Sequence, residues 1–146
     1  MQTVLFLCTG NYYRSRYAEI LFNWEAQKRG LAWQADSRGL DPDPLNAGPM
    51  SRHTKEALRK LGVPIDKHLR FPITASAADF EAADHVVAVK EAEHRPLIER
   101  KFQAWLDRVE FWHVHDLDFA GPEEAIPHLD REVAGLIQRF SNAAAA

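Results

Sequence analysis

The chain has 146 residues, 46% of them hydrophobic and 27% charged, proportions that fit a soluble globular protein with one hydrophobic core. No apolar run approaches the roughly 20 residues that cross a bilayer. The 18 Lys and Arg stand against 21 Asp and Glu for a net charge of −3, scattered without the dense basic block of a nucleic-acid-binding face.

Thr3–Cys8 is an apolar run with few polar interruptions, the pattern of a buried parallel strand. It has no basic leader before it, and the chain holds a single cysteine. The expectation is therefore a cytoplasmic protein with no secretory signal and no internal disulfide. Tyr17–Lys28 carries Ala18, Leu21, Phe22 and Ala26 at helical spacing, with Gly30 as a stop. Leu31–Ser37 reads as a second strand, and Asp41–Pro49, rich in Pro, Asp and Gly, as loop. Met50–Leu61 is helical by spacing, His85–Val89 is a third strand, and Glu91–Leu106 is a helix. Val109–Val114 is the last strand. Glu123–Phe140 is the last helix, kinked or reset at Pro127, and residues 141–146 are a frayed tail. Alternating strands and helices predict an α/β fold of three layers around a mostly parallel sheet. No repeat or linker divides the chain, so residues 1–146 are read as one domain.

In such sheets ligands sit beyond the carboxyl ends of the strands. The first strand ends in Cys8-Thr9-Gly10-Asn11-Tyr12-Tyr13-Arg14-Ser15. A loop that runs straight into a helix turns several N–H groups inward, making an anion nest. Gly10 and Asn11 tolerate the left-handed backbone such a loop needs. Arg14 offers a planar fork to two phosphate oxygens, and Ser15 a hydroxyl to the sulfur. An unperturbed thiol is only a few per cent thiolate at pH 7, so these donors serve to activate Cys8.

Cys-x-Gly-Asn-x-x-Arg-Ser at the N-terminal end resembles the low-molecular-weight protein tyrosine phosphatase family. The likeness continues in Ala18-Glu19, Asp36-Ser37-Arg38-Gly39, the Met50–Gly62 helix, Arg70 with Ile73-Thr74, and the last acidic loop. It implies a four-stranded parallel sheet flanked by helices. It also implies hydrolysis of phosphotyrosine or an aryl phosphate through a phosphocysteine, releasing inorganic phosphate, with no metal and no cofactor. Cys8 is then the nucleophile and Arg14 the phosphate clamp. Thr9, Gly10, Asn11, Tyr12, Tyr13 and Ser15 form the substrate-binding loop. His115-Asp116-Leu117-Asp118-Phe119 stands where the family has Asp-Pro and an aromatic, which makes Asp116 the general acid, Asp118 its rival and Phe119 a wall for the substrate ring. Tyr12 and Tyr13 are read as an aromatic rim, or Tyr13 as a core residue. The expected partners are a phosphoprotein or small aryl phosphate, with no nucleic acid and no membrane, and the chain is expected to be a monomer or weak dimer.

The sequence also departs from the family. Tyr13 stands where a second cysteine is common, and Arg16 replaces a proline, adding charge beside the entrance. Lys67 replaces a histidine that supports Asn11, and Val89-Lys90 replaces Met-Asp. Three other readings compete: a phosphate-binding module with little turnover, a thiol-coupled arsenate reductase, and a metal site on His113-x-His115-Asp116.

Overall fold

The computed structural model describes residues 1–145. Its strands β1 (Gln2–Cys8), β2 (Trp33–Gly39), β3 (His85–Ala88) and β4 (Val109–Phe111) form one sheet in the order β2-β1-β3-β4, every neighbouring pair parallel. The helices are α1 (Arg14–Lys28), α2 (Arg52–Lys60), α3 (Ala77–Ala82), α4 (Glu91–Lys101) and α5 (Pro122–Ala145). None of them is long and apolar enough to cross a membrane.

The unbroken apolar run of β1 follows from its central place, buried on both faces. Val4, Phe6 and Cys8 join the core beneath α1 and α5, where Phe6 meets Phe22 and Trp112 at ring separations of 6.0 and 5.6 Å. Leu5 and Leu7 face the second core, with Phe80 of α3 and Ile98 of α4. The alternation of one strand thus defines the three layers.

Element boundaries shift for physical reasons. β2 ends at Gly39, not Ser37, because it pairs residue for residue with β1 from Gln2↔Trp33 to Cys8↔Gly39. The helix expected over 91–106 breaks at Phe102 (φ −140°), and a 3-10 turn over Gln103–Arg108 lets Trp105 and Leu106 pack on the second core. β4 stops at Phe111, although the Trp112 and Val114 N–H groups still bond Ala88 and Val89 carbonyls. α1 starts at Arg14, three residues before the expected Tyr17, and Tyr13 supplies no side-chain cap. α3 was not expected; Ser76 and Asp79 close a capping box at its start. α5 runs unbroken through Pro127. Residues 141–145 are helical and not frayed, consistent with the strong helix propensity of the alanines there. Ala146 lies outside the described residues.

Candidate active site

The segment from β1 into α1 curls around the sulfur of Cys8. Of the two residues that tolerate the left-handed backbone, Asn11 adopts it (φ 51°) and Gly10 does not. The buried Asn11 amide uses all of its hydrogen-bonding capacity. Nδ2 donates to Ser15 Oγ (3.0 Å) and Ser37 Oγ (2.8 Å), while Oδ1 accepts from Arg70 Nη1 and the Ile73 N–H, both at 3.0 Å. The support lost with the family histidine therefore comes from Arg70 and a main-chain N–H.

The direction of each hydrogen bond follows from this. Ser37 Oγ donates to Glu19 Oε1 and so accepts from Asn11. Ser15 Oγ accepts from Asn11 Nδ2 and lies 2.9 Å from Cys8 Sγ, so its own hydrogen is free to point at the sulfur and is the one that bonds a thiolate there. The Asn11 N–H lies 3.2 Å from the same sulfur. Among the described residues, no protein acceptor meets the N–H groups of Gly10, Tyr12, Tyr13, Arg14 or Ser15, the arrangement of an anion nest at a helix start.

Glu19 anchors this chain from below, taking Arg16 Nη1 at 3.2 Å and Arg70 Nη2 at 3.3 Å. Arg16 does not stand beside the entrance. It is fully buried and donates also to the His68 carbonyl, and among the described residues its Nε has no partner. Burial lowers its pKa, against the pull of Glu19. Beneath the loop Gly39 is obligatory, since a Cβ there would meet Pro42 Cγ at 2.8 Å and the Thr9 carbonyl at 2.9 Å.

Arg14 is only 2% exposed. Nη1 donates to the Val114 carbonyl (3.1 Å) and Nη2 to Glu93 Oε2 (2.7 Å), with Asp116 Oδ2 at 3.4 Å from Nη2. Burial disfavours its charge, but the neighbouring Cys8, Glu93 and Asp116 outweigh burial and raise its pKa. Glu93 also takes the Thr9 hydroxyl and lies 3.1 Å from His94 Nε2. Burial would push the Glu93 carboxyl up, yet the His94, Arg14 and Thr9 donors hold it well below the usual carboxylate range. His94 is buried and its Nδ1 accepts the Lys90 N–H (3.0 Å), which leaves Nε2 as the protonated nitrogen facing Thr9 and Glu93. Burial lowers the His94 pKa and keeps the ring neutral.

The acid loop folds on itself. Asp116 Oδ1 accepts the Leu117 N–H (2.9 Å) and its carbonyl accepts the Phe119 N–H (3.0 Å). Asp116 is partly exposed and turned toward Arg14, whereas Asp118 is exposed. Phe119, 70% exposed, lies across Lys90 with Nζ 3.8 Å from its ring centroid. Tyr12 hydrogen-bonds the Ala47 carbonyl at the surface. The Tyr13 side chain is in the core, against His53 at 5.9 Å, so it forms no rim. Among the described residues its hydroxyl has no partner, and burial with Asp116 nearby pushes its pKa up to about 12. Among the described residues, no three His, Cys, Asp or Glu side chains gather to hold a metal.

The sequence pointed to Cys8, Arg14 and Asp116, which the fold brings together. It missed Glu93 and His94 as site residues, and it placed Glu19, Ser37 and Gly39 only within a resemblance. The rule that pointed to Cys8, that chemistry collects beyond strand ends, also marks the residues just after β3.

A cysteine–arginine loop at the carboxyl end of a parallel sheet is the arrangement that the resemblance to a phosphatase family implies. The model of the low molecular weight phosphotyrosine protein phosphatase family matches residues 3–139, and the chain belongs to that family. The protein-arginine-phosphatase of Bacillus subtilis (strain 168) is 33% identical over 106 residues, 73% of this chain and 67% of that protein. The low molecular weight protein-tyrosine-phosphatase YfkJ of the same organism is 35% identical over 91 residues, 61% of this chain and 56% of that protein. The YfkJ crystal structure superposes with a TM-score of 0.85 at 24% identity, over 98% of this chain and 96% of the other, a likeness of fold. A structure of the YwlE arginine phosphatase, a variant with a phosphorylated active-site serine, superposes at 0.76 with 25% identity, over 97% and 95% of the two chains.

Proposed function

We propose that this phosphatase hydrolyses phosphotyrosine, or a similar aryl phosphate, through a phosphocysteine on Cys8. The observation that carries the reading is the directed set of donors on one sulfur: the Asn11 N–H at 3.2 Å and the Ser15 hydroxyl at 2.9 Å, beside the Arg14 fork. The nucleophile is the thiolate form of Cys8. Its electron pair attacks phosphorus and forms the P–S bond as the bond to the phenolic oxygen breaks. Asp116 gives its proton to that oxygen. Water then attacks phosphorus, Asp116 takes back a proton, and the P–S bond breaks to release phosphate and the thiolate. Arg14 and the free N–H groups hold the non-bridging oxygens, where charge builds in both steps.

Asp116 is favoured over Asp118 because it alone turns toward Arg14, at 3.4 Å. Tyr12 and the exposed Phe119 supply aromatic surface for a phenyl ring. The YwlE variant with a phosphorylated active-site serine supports transfer of the phosphoryl group to the protein. A second reading is a phosphoarginine substrate, favoured by the 33% identity to the protein-arginine-phosphatase. Rapid-quench kinetics with p-nitrophenyl phosphate, and kcat/KM on matched phosphotyrosine and phosphoarginine peptides, test both. The first reading expects a burst and a preference for phosphotyrosine. No burst and no turnover would leave a phosphate-binding module, and a phosphoarginine preference would replace the substrate.

A further inference from the structure

Beside the loop lies a hollow of about 410 Å³ whose walls include Tyr12, Met50, Arg52, His53, Lys55 and Leu117. Tyr12 belongs to the phosphate loop and Leu117 to the acid loop, so the hollow continues the reaction cleft. Its floor is fixed to that cleft: the Ser51 N–H donates to the Tyr12 carbonyl (2.8 Å) and Thr54 Oγ1 to the Tyr13 carbonyl (2.9 Å). The hollow is lined by Arg52, His53 and Lys55 and by no carboxylate, in a chain whose net charge is −3. Among the described residues Arg52 and Lys55 pair with no carboxylate. Glu56 turns to the neighbouring hollow between α2 and α5.

Stability does not account for these cations. Arg52 and Lys55 fall in the first turn of α2, which has no acidic residue, and cations there work against the helix. We infer that this hollow seats acidic side chains flanking the phosphorylated residue of a protein substrate. An extended peptide advances about 3.3–3.6 Å per residue, so a side chain one or two positions from the phosphoresidue enters a hollow that adjoins the loop. Arg52 and Lys55 then meet carboxylates that the rest of the acidic surface repels, and the preference becomes one of sequence context, set apart from the chemistry.

The inference rests on the phosphatase reading, and its test separates the two. The wild type and the Arg52→Glu/Lys55→Glu variant are assayed on phosphotyrosine peptides with acidic, neutral or basic flanks, and on p-nitrophenyl phosphate. Binding of the same peptides is measured in the Cys8→Ser background. The expected wild-type preference for acidic over neutral flanks is roughly 3- to 20-fold, the reach of two partly exposed ion pairs, and it shrinks at about 0.5 M salt. In the variant the preference disappears or reverses while p-nitrophenyl phosphate turnover stays within about twofold, since a two-fold change is under ~0.5 kcal/mol. Equal rates on all three peptides, or a preference that survives the charge reversal, would overturn the docking surface. No turnover combined with flank-dependent binding through Arg52 and Lys55 would uphold the surface and sink the phosphatase reading instead.

Discussion

Replacing Ser15 by alanine tests the hydrogen-bond polarity assigned to the loop. Ser15 Oγ accepts from Asn11, which leaves its hydrogen for the Cys8 thiolate of the proposed mechanism, 2.9 Å away. A hydrogen bond to a charged group contributes about 1.5–3 kcal/mol. In the proposed second step the thiolate is the leaving group, so losing this donor slows breakdown of the phosphoenzyme by roughly 10- to 150-fold. Formation suffers less, because a less stabilised thiolate is scarcer but more nucleophilic. With p-nitrophenyl phosphate the variant should show a burst close to one equivalent, and kcat and KM should fall together. Asn11 Nδ2 keeps only Ser37, and one unsatisfied buried donor costs about 1–3 kcal/mol of stability. A thermal melt should show this as a drop of several degrees. If kcat and kcat/KM fall equally with no burst, Ser15 acts before the intermediate. If kcat is unchanged, the polarity argument is wrong.

Asp116→Asn should slow phenyl phosphate by about 10²–10⁴-fold and p-nitrophenyl phosphate, whose phenolate leaves unaided, far less. The same signature in Asp118→Asn, and not in Asp116→Asn, would move the acid by two residues. Glu93 is held below its ordinary value of 4.5 by His94, Arg14 and Thr9 against burial, so its contribution to stability is present above that pH and fades as pH falls below it. Glu93→Gln should therefore lower the melting temperature at pH 7 more than at pH 3, and an equal drop at both would refute the linkage. Lys90→Met should weaken the hold on Phe119, a contact of about 0.5–2 kcal/mol. Phenyl phosphate turnover should then fall more than p-nitrophenyl phosphate turnover, and Lys90→Arg should restore it. With no second cysteine in the chain, peroxide-treated enzyme should regain little activity on dithiothreitol, and full recovery without a sulfenamide in the mass spectrum would count against this.

What the sequence made legible divides along contact range. The alternation of β1 and the direct run from Cys8 into a helix are local, and they placed the sheet and the phosphate loop. Arg70 holding Asn11 across 59 positions, or Glu93 holding Arg14 across 79, has no local signature. Tyr13 shows the same limit. Its spacing suited rim and core equally, and the core placement beside His53 depends on where α2 docks. Arg16 looked like surface charge because arginine usually is. It is buried because Glu19 and the His68 carbonyl wait for it inside.

The departures from the family pattern are connected through the structure. Lys90, just past the end of β3, stands where the resemblance implies an acid. Glu93, in the first turn of α4, places a negative charge 2.7 Å from Arg14, and Thr9 and His94 fix it there. His94 is in turn oriented by the Lys90 N–H. Among the described residues Lys90 pairs with no carboxylate, and it meets the face of Phe119, in the loop where leucine stands in place of proline. One exchange at the end of β3 thus bears on both the clamp and the acid loop. Arg14 keeps its anionic partner, and the loop that presents Asp116 gains an outside contact where it lost an internal constraint. The same side chain cannot serve both ends with a carboxylate at position 90, which would face the ring of Phe119 with negative charge.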